Sequence, residues 1–263
     1  MKMFRKLLSA VALVAAFGGT AQASIINIGG VTWDPDAVSI TDSDFTARYE
    51  FNQFFSSSAN AVSNALNAAP NYANAINPLT VGFGDVLQGV GEIFKFNGVN
   101  YGDTSSAIGG AFCASCELTF VFGGFQIAGP GTFTNGWLRL YVDDTPDFNV
   151  STSPAGNAAD GNLFLQLSAV ANEFSNATSF QSGFLTSYFA VTGGIAASNF
   201  DTNTQQFMAD LLSSASSQFS NNNFIATSTG QISGNSIPEP STVLLLSLAL
   251  MGLAMTRRQT KNK

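Results

Sequence analysis

Apolar and polar side chains alternate with period two over most of the middle of the chain. In residues 48–55, Tyr49, Phe51 and Phe55 fall on one side and Arg48, Glu50 and Asn52 on the other. Such aromatic alternation predicts a half-buried strand. Residues 92–96 run into Asn97-Gly98, a dipeptide suited to a tight hairpin. Leu118, Phe120 and Phe122 share a face, as do Leu138, Leu140 and Val142, with Trp137, Arg139 and Tyr141 opposite. Leu163, Leu165 and Leu167 repeat the pattern, and in residues 180–191 Leu185, Ser187 and Phe189 oppose Phe184, Thr186 and Tyr188. Strands of this kind, separated by Gly, Asn, Pro and Asp turns, predict a mainly β domain: an antiparallel β-sandwich or jelly-roll.

Two stretches change period. Val62, Ala65, Leu66 and Ala69 recur at three and four residues before Pro70, which predicts a short surface helix over 56–69. Thr202 and Gln205 fit a capping box, and Phe207, Leu211, Ala215 and Phe219 then make a stripe widened by Met208 and Leu212. That pattern predicts a second helix, packed across the sandwich. Residues 226–237 are mostly Ser, Thr, Gly and Asn and read as a flexible linker.

The two ends differ from the middle. Lys2, Arg5 and Lys6 precede an apolar run at 7–17 and Ala21-Gln22-Ala23. This order predicts a secretory signal peptide over 1–23, cleaved between Ala23 and Ser24. This eleven-residue run rises only about 16 Å as a helix, too short for a roughly 30 Å hydrocarbon core. At the other end, residues 240–256 are apolar enough for one short transmembrane helix, and Arg257, Arg258, Lys261 and Lys263 follow it. Basic flanks stay cytoplasmic, so both ends place residues 24–237 outside. Those residues hold 3 basic against 16 acidic side chains, a net charge of −13 against −7 for the whole chain. A domain so acidic repels nucleic acid and excludes it as a partner. With 24 Phe in the chain, there is enough apolar surface to offset ordering entropy.

The tail order Pro238-Glu239-Pro240-Ser241-Thr242, short apolar helix, then Arg257-Arg258 and Lys261 resembles the PEP-CTERM sorting signal of Gram-negative, exopolysaccharide-producing bacteria. The resemblance covers 238–263 and implies recognition of Pro238, Glu239 and Pro240 by exosortase, with processing near them. It implies delivery by the secretion machinery, an inner-membrane precursor, and a final place at the cell surface or in the extracellular matrix. The two prolines hold the backbone extended and remove donors, which keeps the motif out of the helix.

Candidate chemistry in the outer domain (24–225) is sparse. The chain contains no histidine, which excludes Ser-His-Asp and Cys-His mechanisms and His-ligated metals. No cofactor is expected, and no catalytic residue is assigned. Cys113-Ala114-Ser115-Cys116 runs into a strand with no βαβ pattern around it and reads as a local disulfide in an oxidising compartment. Asp143, Asp144 and Asp147 cluster on a loop. They can serve either as oxygen ligands for Ca²⁺ or as an acidic turn. Trp137 and Tyr141 can stack on sugar rings if their face is open, and are core if it is covered. The leading expectation is a non-enzymatic structural or adhesive surface protein of the biofilm or exopolysaccharide layer. A carbohydrate-binding or calcium-dependent recognition module comes second, and an Asp/Glu-based envelope hydrolase third.

Overall fold

The alternating segments all become strands of one continuous sheet, and its two ends meet. The structure, a computed structural model, describes residues 25–35, 45–104, 108, 110–175, 180–220 and 223–237. A small hairpin comes first, β1 (Ile26–Ile28) and β2 (Val31–Trp33). The main sheet holds β3 (Phe45–Ser56), β4 (Val86–Phe96), β5 (Val99–Asn100), β6 (Glu117–Gly129), β7 (Thr132–Thr134) and β8 (Trp137–Asp143). It continues with β9 (Asn162–Ser175), β10 (Ser182–Gly193), β11 (Leu211–Gln218) and β12 (Ala226–Gly234). One helical turn, α1 (Ala197–Phe200), follows β10. β4 bonds to both β3 and β6, which closes the antiparallel ring β4-β3-β12-β11-β10-β9-β8-β6.

The expected sandwich is therefore an eight-stranded barrel. Alternation is the same for both architectures; what separates them is whether the sheet edges pair. Here they pair because Gly89 and Gly91 of β4 leave room for the rings of β6. A Cβ on Gly89 would lie 2.6 Å from the Phe122 ring, and one on Gly91 would lie 2.5 Å from Phe120. Aromatic rings laid over strand glycines stabilise such a close approach.

Both expected helices are absent from the described residues. Residues 56–69 form an irregular segment with only a 3-10 turn at Ser58–Asn60. Ser and Asn bond to nearby backbone in turns, and Asn67 takes a positive φ of 59°. Residues 202–210 form a loop with a 3-10 turn at Gln206–Met208, and the rest of the second helix is β11. Leu211, Ala215 and Phe219 are four apart, a spacing that a strand face satisfies as well as a helix stripe. The supposed linker is β12, paired with β3 and β11. Its inward positions include Gly230, over which the Tyr49 ring lies within 2.5 Å of an added Cβ, so little apolar content was needed there. Leu163 also departs from expectation. A bulge at Phe164 breaks the β8–β9 register and turns Leu163 to the outer face, while Leu165 and Leu167 stay inside.

Two cores result. The lumen is filled largely by Phe, including Phe51, Phe120, Phe122, Phe125 and Phe189. At one end Trp33 stacks on Phe200 at 5.4 Å and meets Phe96 edge-on at 5.8 Å, closing the barrel beneath the β1–β2 hairpin. At the other end Phe55, Phe133, Phe174 and Phe180 close it. A second cluster lies outside the barrel, where the segments around Val62, Phe148 and Val150 cover β4, β6 and β8. Polar side chains tie this cover down: Gln88 accepts from Val62 N at 2.6 Å, Asn52 donates to Val150 O at 2.5 Å, and Thr119 donates to Ala158 O at 3.1 Å.

Candidate functional site

An acidic corner lies at the barrel end that carries the β1–β2 hairpin. In the β6–β8 ladder Glu117 stands opposite Asp143. The loop after β8 folds back so that ligand oxygens of Glu117, Asp143 and Asp147 all come within 4.8 Å of one another. Two oxygens on one Ca²⁺ are at most about 5 Å apart at ordinary bond lengths, so the spacing suits that ion. Asp144 is exposed and outside the cluster, and Glu117 takes its place. Glu117 reads as an ordinary strand start, and only the ladder register reveals its neighbour. Its side chain is 5% exposed and accepts from Phe148 N at 3.1 Å. Burial pushes its carboxyl from 4.5 up to about 7, opposed by hydrogen bonds from Asp147 and Phe148 and assisted by the charges of Asp147 and Asp143. Asp160 is raised as well, by burial first and then by Asp143 and Asp147. Three carboxylates supply part of a six- to eight-oxygen calcium shell, with carbonyls and water left to complete it.

Trp137 and Tyr141 do not form a sugar platform. They are 8% and 0% exposed and belong to the outer core, covered by residues 60–72 and 148–159. Arg139 between them is equally buried; its guanidinium donates to the carbonyls of Ala65 and Asn64 and lies over the Trp137 ring.

The open face lies elsewhere. The outer side of β3, β12, β11 and β10 carries a shallow groove of about 570 Å³, with Arg48, Gln231, Ser214 and Ser216 along it and Phe94 and Phe184 beside them. The two rings are 38% and 45% exposed. Phe94 turns outward at a bulge where β4 loses register with β3. Sequence alternation could not place it, because the bulge shifts its face.

Cys113 and Cys116 form a disulfide, with Cα atoms 5.1 Å apart. Their turn packs against the hairpin through the Val31–Cys113 bridge and Thr32 N donating to Phe112 O at 2.7 Å. A three-residue loop of this kind contributes about 2 kcal/mol. The disulfide is part of the end closure.

The chain leaves the barrel at the same end. After β12, Trp33 Nε1 donates to Ser236 Oγ at 3.4 Å. Ile237 N donates to Asn199 O at 2.7 Å, and Asn199 Nδ2 returns a bond to Ile237 O at 3.1 Å. Pro238, Glu239, Pro240, the helix expected over 240–256, Arg257, Arg258, Lys261 and Lys263 lie outside the described residues, as do Ala23, Ser24 and the expected signal segment. Among the described residues no helix is long and apolar enough to cross a membrane.

Residues 236–259 match the family model of the PEP-CTERM protein-sorting motif. No curated protein and no solved structure matches the chain. The match begins at Ser236, two residues beyond the last barrel strand, so the motif and the barrel are joined without a spacer. The chain thus carries, directly after a β-barrel, a PEP-CTERM protein-sorting motif, the signal of an exported protein sorted by exosortase.

Proposed function

We propose that this chain is a non-enzymatic structural or adhesive protein of the extracellular polymer layer, held in the inner membrane by its tail until exosortase acts. The observation that carries the reading is the sorting motif at 236–259, attached directly to a barrel with a separate outer polar face. The absence of histidine from the sequence excludes histidine-based catalysis. The test is complementation of a strain lacking the chain. Wild-type protein should restore the cohesion of the polymer layer, and a Pro238→Ala/Pro240→Ala variant should not. Equal restoration by both would remove the sorting motif from the function.

The second reading is recognition of a neutral glycan on the open face, favoured by the groove of Arg48, Phe94 and Phe184 with its row of hydroxyls. Exposed rings stack on the apolar faces of sugars, and an arginine fork hydrogen-bonds their hydroxyls. Phe94→Ala and Phe184→Ala remove exposed rings and leave the core intact, so lost glycan binding in a folded variant would assign the site. Unchanged binding would dismiss it.

A further inference from the structure

The interior of the barrel is not completely filled. Strands β3, β6 and β8 point Phe and Leu inward, but β11 offers only Ser213, Ala215 and Ser217 along the same depth. The mismatch leaves a cavity of about 70 Å³ in the lumen, extending toward the end closed by Phe133, Phe174 and Phe180. That end is opposite Ser236 and Ile237, where the described chain leaves the barrel. Phe174, Phe180 and Leu185 are only partly buried, so the closure at this end is thin.

Polar groups in the lumen are few and mostly satisfied. Tyr49 OH pairs with Ser213 Oγ at 2.7 Å, Ser187 Oγ donates to Asn172 Oδ1 at 2.7 Å, and Gln53 Nε2 donates to Ser228 Oγ at 2.9 Å. Ser217 is the exception. Among the described residues its hydroxyl, buried on the cavity wall, has no hydrogen-bond partner. An orphan hydroxyl of this kind costs free energy unless something occupies the space and pairs with it. None of the lining residues is charged, so an ion would enter without compensation.

We propose that the lumen binds a small uncharged amphiphile, an apolar body bearing one hydroxyl or carbonyl oxygen, with Ser217 as its hydrogen-bond anchor. Eight-stranded barrels have interiors of the right width for one small ligand. An apolar pocket with a few convergent polar groups is the usual form of such a site. The binding is independent of sorting, because the cavity lies at the end opposite Ile237, where the described chain leaves the barrel.

The test uses the full chain in lipid nanodiscs, labelled with fluorophenylalanine and followed by fluorine NMR, with empty nanodiscs as the partition control. Titration with 1-butanol should shift lumen resonances saturably, while butyrate should not. Ser217→Ala should weaken 1-butanol binding by about 2- to 12-fold, the worth of one hydrogen bond, without lowering the unfolding midpoint. Ala215→Phe, which fills the lumen, should abolish saturation. Spectral dispersion reports whether that variant folds, and Ala215→Val replaces it if it does not. No saturation with 1-butanol, equal saturation with butyrate, or unchanged binding in the filled variant would overturn the site. Unchanged affinity in Ser217→Ala would overturn the anchor.

Discussion

Arg139 carries a charge at 4% exposure and is paired with carbonyl oxygens of the covering segment. It holds residues 64 and 65 onto β8 and offers its face to Trp137 at 5.2 Å. Arg139→Met keeps the apolar stem but leaves two carbonyls unpaired, so it should cost about 3 kcal/mol in denaturant unfolding. Lysine should rescue little of this, since one ammonium cannot reproduce the planar fork. Glu117 acts in the other direction. Its folded carboxyl is raised from 4.5 to about 7, so the folded state binds the proton more tightly than the unfolded chain. Its contribution to stability is complete below 4.5 and is lost as pH rises through about 7. The unfolding midpoint should therefore fall between about pH 5 and about pH 8, and Glu117→Gln should flatten the fall. If the acidic corner takes calcium, millimolar Ca²⁺ should restore the loss at the higher pH in wild type and not in Glu117→Gln. A plain acidic turn would show no calcium effect in either.

At the scale of elements, close contacts between strands decide which edges can meet. A methyl group on Gly91 would lie 2.3 Å from Glu50 O and 2.5 Å from the Phe120 ring. Gly91→Ala should thus cost about 3 kcal/mol, as overpacking of a closed site does. The same change at Gly98, whose Cβ would meet nothing, should cost only the strain of its positive φ of 86°. The strands β3, β6 and β8 were legible because their inward residues are large and alternate cleanly. The Asn97-Gly98 hairpin was equally plain, and both residues take the positive φ that the turn requires. β11 and β12 were not legible, because they line the lumen with Ser, Ala and Gly while Tyr49 and the Phe residues of other strands supply the bulk. Bulges account for Leu163 and Phe94, since one extra residue reverses the faces that follow. Truncation separates the two views of residues 226–237. A chain ending at Ile225 loses a barrel strand and should show no cooperative unfolding transition, whereas one ending at Ile237 should unfold as the full chain does.

Seen whole, the molecule is polarised. One end gathers the hairpin, the disulfide, the acidic corner and the exit of the chain toward the sorting motif; the opposite end holds the thin aromatic closure over the lumen. The sorting motif was legible because targeting machinery reads linear order: Pro238-Glu239-Pro240, an apolar run and a basic finish. The acidic corner was only partly legible, because Glu117 joins Asp143 through strand pairing. The direct test of an exported, exosortase-sorted protein is intact mass of the chain from membrane and matrix fractions, with and without exosortase. The expected matrix form begins at Ser24 and ends near Pro238–Pro240 only when exosortase is present. An end at Lys263 in every fraction would contradict it.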